Sequence, residues 1–588
     1  MSNTIDSSEW KSKPDDNLWN SKANWKSDKI PNKTAIFSKS CKTLVGFKKN
    51  SNATINQIKF TKKAPSFNFN IKVYKKRPAL TIDGKGVINN SKRQQCFSVT
   101  SKGVGRKTPQ LKFTNSASAG NFNMLYYAGP KSLNKSYGGG VIAFFDKSTA
   151  GSAFFTIRTG KQAPPKENST VGAEVTFCDS SNAGKARFTV FGTLGSDGDT
   201  FGNAVFHDKA SAEQAVFTNI GGTVSGGDGG NTQFYDETTA AFGTYDNYGG
   251  NVKKANGGDV AFDGIASAGN ALFYNRAAKV DGAYGGVTSF NNNPNIFSNN
   301  PIIKTEKGAT AGVATFHNYG ASGNNLGGGG HTEFTAKYAT CTAGNGNFHN
   351  YGSITNVRSS AGHTIFSISK PTKNYPSAGN GTFWNYPSPI KNGVGGFTEF
   401  SMYNEGDYIE PPTAEKATFI NLGATVNGAN GGYTSFSNET TAAEATLIAH
   451  GGINGGNGGQ ILFNDNSTGD NSSVELIGNG ELDLSYHKGP LTIKNLILKG
   501  GLIKIRIGDN PTTLNIAKDF NLNTPVAEFS FYLDKENGFK YDTAYAILSA
   551  NNLSDSQIQD FRGNEINGHK PKFSVSNNIL FVSYSDKN

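Results

Sequence analysis

Aromatic residues recur along the chain at a nearly fixed interval. Phe206, Phe234, Phe262 and Phe290 are each 28 residues apart, and the column extends back through Phe177, Phe144 and Phe113 and forward through Phe334, Phe366, Phe400, Phe436 and Phe463. Around each ring apolar and polar residues alternate, as in Thr332, Glu333 and Phe334, which is the period of a strand with one buried face. A second column runs through Phe155, Phe188, Phe217, Tyr245, Phe273, Phe316, Phe348, Phe383, Phe419 and Leu447. Two residues after it stands asparagine, at 219, 247, 275, 318, 350, 385 and 421. A weaker apolar column includes Val224, Val252, Val280, Ile390 and Val426. Three short strands per rung of about 28 residues, joined by Gly-rich turns such as 226–230, predict an all-β chain wound as a single-stranded parallel β-helix. Its hand is expected to be right, as parallel crossovers are. Gly, Asn and Thr crowd every window, so no helical period survives.

Stacking one rung on the next places ring on ring inside the coil, while the asparagines read as a turn ladder bonding rung to rung. The ends depart from this register. Residues 1–110 carry Trp10, Trp19 and Trp25 and read as an N-terminal cap with the first irregular rungs; 111–489 form the β-helix; 490–588, where the Gly-rich turns thin out, read as a C-terminal β cap. Such caps cover edges that would otherwise aggregate.

The stretches 267–273 and 310–318, repeated in 441–447 followed by 451–456, resemble the repeat of secreted bacterial β-helix proteins, including autotransporter passenger domains. The opening is similar too, in Leu18, Trp19 and Asn20, Asn24 and Trp25, Pro31, Ala35 to Phe37, and 80–90. This resemblance implies a secreted or bacterial cell-surface protein, and it brings no catalytic residues with it. The polar start is not expected to be a signal peptide, and the roughly 100 residues after Gly489 are too few for a membrane barrel. An excised passenger, another secretion route or a translocated effector are the expected alternatives.

Composition narrows the class. A hydrophobic fraction of 36% with 11% aromatics supplies a core and excludes a wholly disordered chain. No apolar run approaches the length of a membrane helix, so no membrane span is expected. Cys41, Cys96, Cys178 and Cys341 lie far apart and form no disulfide framework. Charge is uneven: residues 1–110 hold 23 Lys and Arg against 6 Asp and Glu, a net of +17 within a whole-chain +12. The lysines are scattered through strand-like text and read as a solvated basic surface, with a specific polyanion site as the alternative. No nucleic acid partner is expected.

Rung length singles out one corner. The spacing from first to second column is 11 in most rungs, but 26, 14, 17 and 19 in the four that start at Phe290, Phe334, Phe366 and Phe400. Expanded turns are therefore expected at 291–312, 335–344, 367–379 and 401–415, and insertions gathered on one corner mark a binding face. Beside them, one residue after the second column, come Tyr274, His317, His349 and Trp384; three residues after it come Tyr319, Tyr351 and Tyr386. His317, Tyr319, His349, Tyr351, Trp384 and Tyr386 are the candidate binding residues, a double strip whose ring faces would suit sugars or an apolar patch of a protein.

Catalytic chemistry is weaker. Glu333 and Glu399 fall two rungs apart, a separation of ~9–10 Å that an inverting glycosidase could use, yet exposed glutamates between strands read as solvated surface. His331 and His363 should be stacked surface neighbours, and neither they nor Asp407, Glu410 and Glu415 are assigned a metal; no cofactor is expected. Gly-rich text such as 327–330 follows the turn period and is not a nucleotide loop. The expected function is a non-enzymatic, extracellular or surface-exposed, adhesin-like protein recognising a glycan or a host or surface protein. It would act as a monomer or self-associate end to end. A polysaccharide lyase or glycoside hydrolase is the alternative, and a filament, coat subunit or effector a further one.

Overall fold

In a chain that repeats one short rung, each residue's nearest neighbour is its own counterpart one turn away. The computed structural model shows the result, a parallel β-helix. It describes residues 6–48, 51–73, 79–101, 110–130, 139–159, 172–195, 201–291, 307–336, 339–368, 374–402, 410–523 and 529–585. The chain packs as two compact units, one built on 1–274 and one on 303–588, with short exchanged stretches between 275 and 302.

The first unit begins with a knot of indoles. Trp10, Trp19 and Trp25 are fully buried, and Trp25 meets the other two edge to face at 5.3 and 5.1 Å, beside Phe37. Parallel strands stack from there, Thr34–Phe37 on Asn52–Phe60 on Ala79–Asn89. Phe113, Phe144, Phe177, Phe206, Phe234 and Phe262 then lie face on face at 4.6 to 4.9 Å. The second column extends further back than its spacing suggests, from Phe155 through Tyr126 and Phe97 to Phe69. In the turns Asp146, Asp179, Asp208 and Asp236 adopt positive φ, and each carboxylate accepts the backbone N–H of its counterpart one rung earlier at 2.8 to 3.0 Å.

Among the described residues of the regular rungs the third predicted strand is absent. Each regular rung holds two strands of about four residues, and the third line of contact is a single bridging residue, Ser118 to Thr149 to Asn182 to Ser211 to Thr239 to Ser267. The weak apolar column lies in the remaining turn, with Val280, Ile390 and Val426 38 to 40% exposed. The glycines of that side serve close approach as much as turning. A side chain on Gly229 would sit 1.9 Å from the Gly257 carbonyl oxygen, and one on Gly257 would sit 2.0 Å from that of Gly285.

The second unit repeats the scheme. Phe290, Phe334, Phe366, Phe400, Phe436 and Phe463 stack at 4.6 to 5.0 Å, and Phe316, Phe348, Phe383 and Phe419 at 4.6 to 4.8 Å. Leucine and isoleucine take over in the long strands Ser473–Asp483 and Leu491–Ile507. Pairing turns antiparallel where Ile579–Tyr584 lies on Tyr545–Ala550, which ends the parallel register there. All four cysteines are free thiols. Among the described residues no helix is long and apolar enough to cross a membrane.

Asparagine fills the polar line of this core. Asn275, Asn318, Asn350, Asn385 and Asn421 are fully buried, and the Nδ2 of each of the first four donates to the next Oδ1 at 2.7 to 2.9 Å. Thr332, Thr364, Thr398 and Thr434 donate to the same oxygens. Beyond Asn421 the position is Ala449, and Asn421 Nδ2 is left buried without a partner. Asn350→Ala should therefore destabilise the fold by about 2–4 kcal/mol, because it removes the acceptor shared by the Asn318 amide and the Thr364 hydroxyl and leaves that amide only its longer bond to Thr364 Oγ1 at 3.3 Å. Asn421→Ala, at the ladder's end, should cost less; urea unfolding of both variants checks the order.

Candidate functional site

The strands Thr315–Asn318, Asn347–Asn350 and Thr382–Asn385 bury Phe and Asn and turn the residue between them outward. Pairing puts His317, His349 and Trp384 in one line that continues to Ile420. His317 and His349 stack at 4.9 Å, and His349 and Trp384 lie nearly parallel at 6.5 Å. Alongside, Tyr319, Tyr351 and Tyr386 stack at 5.0 and 4.8 Å. The two lines are tied diagonally. His317 Nδ1 is hydrogen-bonded to the Tyr351 hydroxyl at 3.0 Å, and His349 Nδ1 to the Tyr386 hydroxyl at 3.1 Å. The Arg276 guanidinium covers the Tyr319 ring at 4.7 Å. All six rings are half-buried.

The six sequence-derived residues thus come together in the second unit, while Tyr274 belongs to the first. Their presentation differs from expectation in one respect. Within each line the rings turn faces toward one another, and Arg276 covers a face of Tyr319. Burial, then the neighbouring His349 and Arg276, depress the His317 imidazole to about 4, and burial depresses His349 as well. At neutral pH both imidazoles are therefore uncharged, and Arg276 is the cation beside them.

The expanded turns contribute little that can be added to this picture. Residues 292–306, 337–338, 369–373 and 403–409 lie outside the described residues, and Asp407 with them. Glu410 is exposed and Glu415 half-buried. Among the described residues no group of three His, Cys, Asp or Glu is placed to hold a metal.

On the first-column strands the register is as expected: His331 pairs with His363, and Glu333 with Ile365 and then Glu399. The surroundings are not. His363 is buried, and it forms part of a continuous stack from His331 through Phe397 to Tyr433 at 4.7 to 4.9 Å. Arg358 closes over it, 4.7 Å from the Phe397 ring, donating to the Tyr433 hydroxyl at 2.8 Å and ion-paired with Glu399. A chain of four outward rings is legible as a position three residues before Phe334, Phe366, Phe400 and Phe436, a spacing that the two main columns obscured. Ile365 separates the two glutamates, and Glu399 is engaged.

His363 donates Nδ1–H to the Ala361 carbonyl at 2.8 Å, and burial, then His331, hold its imidazole down to about 3. The unfolded chain accepts a proton there near 6.5, so the stability tied to this neutral ring is complete above pH 6.5 and is lost as pH falls toward 3. His363→Phe extends the Phe397 and Tyr433 stack with a ring that does not titrate. Its thermal midpoint should fall less between pH 6.5 and 4 than that of the wild type; equal slopes would show that His363 does not govern the acid limb.

Compared with known proteins, the chain matches no family model and no curated protein.

Proposed function

We propose that this chain is a non-enzymatic, surface-exposed, adhesin-like protein that docks a protein partner along the ring ridge of residues 317–386. The observation that carries this reading is the cross-tying of the two ring lines by the His317–Tyr351 and His349–Tyr386 hydrogen bonds. Rings held on both sides lose little freedom when a partner arrives, which lowers the cost of association. Tyrosine and tryptophan are the side chains that dominate protein interfaces, presenting apolar bulk with a hydrogen-bonding tip. The neutral imidazoles add no charge to desolvate. A sugar ring needs an open aromatic face, and along this ridge the rings turn faces to one another and to Arg276, which favours a protein surface over a glycan.

The enzymatic reading is less well supported. A general acid and base need two available carboxylates, whereas Glu399 is ion-paired with Arg358 and Ile365 stands between it and Glu333. The likeness of the repeat to secreted bacterial β-helix proteins and autotransporter passengers supports a place at the bacterial surface, where a side-facing ridge can reach a partner.

The test is binding of the full chain to arrays of surface proteins and of glycans, with released sugar measured in parallel. Trp384→Ala should keep the fold and weaken protein capture by about 10–100-fold, the cost of losing one interfacial ring. Glycan capture that Trp384→Ala abolishes would reassign the partner to carbohydrate. Sugar release would overturn the non-enzymatic reading.

A further inference from the structure

A second surface stands out in the first unit, far from the ridge in sequence and opposite to it in chemistry. Thr34–Phe37, Asn52–Phe60 and Ala79–Asn89 stack in register, with Phe37, Phe60 and Asn89 aligned. Immediately after each strand the chain turns and delivers cations to the same edge: Lys39 from the first, Lys62 and Lys63 from the second, Lys92 and Arg93 from the third. All five line one open cleft of about 740 Å³, and all five are exposed.

No carboxylate lines this cleft. Among the described residues none of the five makes an ion pair, whereas Lys11, Lys26 and Lys33 of the same unit are matched to Asp28, Glu9 and Asp6. The turns that carry them are fastened from below. Thr61 Oγ1 donates to Ser38 Oγ at 2.9 Å and accepts the Lys63 N–H. Asn89 Oδ1 accepts the Ser91 N–H at 3.0 Å, and Gln95 clamps the second turn through Phe67 N–H and the Pro65 carbonyl. The positive charges are crowded by a fixed backbone and have no internal compensation.

We propose that this cleft binds an acidic polysaccharide, through sulfate or carboxylate groups strung along a linear chain. Three successive rungs offer cations at a repeat of about 4.8 Å, so a ligand running along the stacking direction meets one or two at every step. Binding relieves the repulsion among the five and releases the ligand's condensed counterions. Nucleic acid fits less well: the lining has no aromatic ring on which a base could stack, and one arginine only. A lipid surface fits less well too, since Ala64 and Pro65 are the cleft's sole apolar residues. Ser40 and Asn90 supply the neutral groups that sugar hydroxyls need.

Heparin serves as the probe for the full chain, with dextran as the uncharged control. Lys62→Ala/Lys63→Ala and Lys92→Ala/Arg93→Ala are compared with Lys279→Ala/Lys391→Ala, which removes the same charge from exposed positions elsewhere. Each cleft variant should weaken heparin binding at least tenfold and lower the slope of log K against log salt by about 2, one per cation removed. The control pair should bind as the wild type does, and dextran should not bind. Absence of heparin binding, or equal losses in the cleft and control variants, would overturn the proposal. Duplex DNA or phosphatidylserine vesicles binding more tightly than heparin, with the same variant sensitivity, would overturn the polysaccharide assignment.

Discussion

Everything in this protein depends on the parallel register that sets each residue on its counterpart one rung away. That single translation turns any residue repeated at the rung period into a line. Phe becomes a ring stack, Asn an amide ladder, Gly a seam where backbones nearly touch, and Lys an edge of charge. Each ring pair contributes only about 0.5–1.5 kcal/mol beyond the area it buries. The pairs are numerous, though, and a slip of one residue would send every inward ring to the outside.

The same constraint penalises what does not stack well. Two imidazolium ions one rung apart would repel, and the fold keeps His317, His349 and His363 neutral by burying them. A polar ladder must also stop somewhere. At Ala449 the asparagines give out, and Asn421 is left with an unsatisfied amide at the terminus of its line. Such costs are tolerable because they fall once per line, whereas the gains recur at each rung.

This explains which parts of the molecule were legible in the sequence. Phe234 and Phe262, or Asn350 and Asn385, announce themselves because a stacked core demands the same residue at a steady interval. The third side could not be read that way. Its contacts run through backbone, as at Gly229 and Gly257, and one bridging residue such as Thr239 carries no strand signature. The ridge was half legible: alternation shows that Trp384 and Tyr386 point outward, but it does not show that neighbouring rings would turn face to face. The His363, Phe397 and Tyr433 stack was masked because three different residue types share its line.

Compensation separates the lines that hold the fold from those open to a partner. Asp146, Asp179, Asp208 and Asp236 also stack like charge on like charge, yet each carboxylate is answered by a backbone N–H one rung away. Glu399 is answered by Arg358, and the asparagines answer one another. Among the described residues Lys39, Lys62, Lys63, Lys92 and Arg93 have no such reply, although their turns are fastened by side-chain hydrogen bonds. A rigid line of charge left unanswered by its own chain is a poor way to stabilise a fold, since removing the charges would relieve repulsion at no cost in packing. Its physical sense lies in what it can attract.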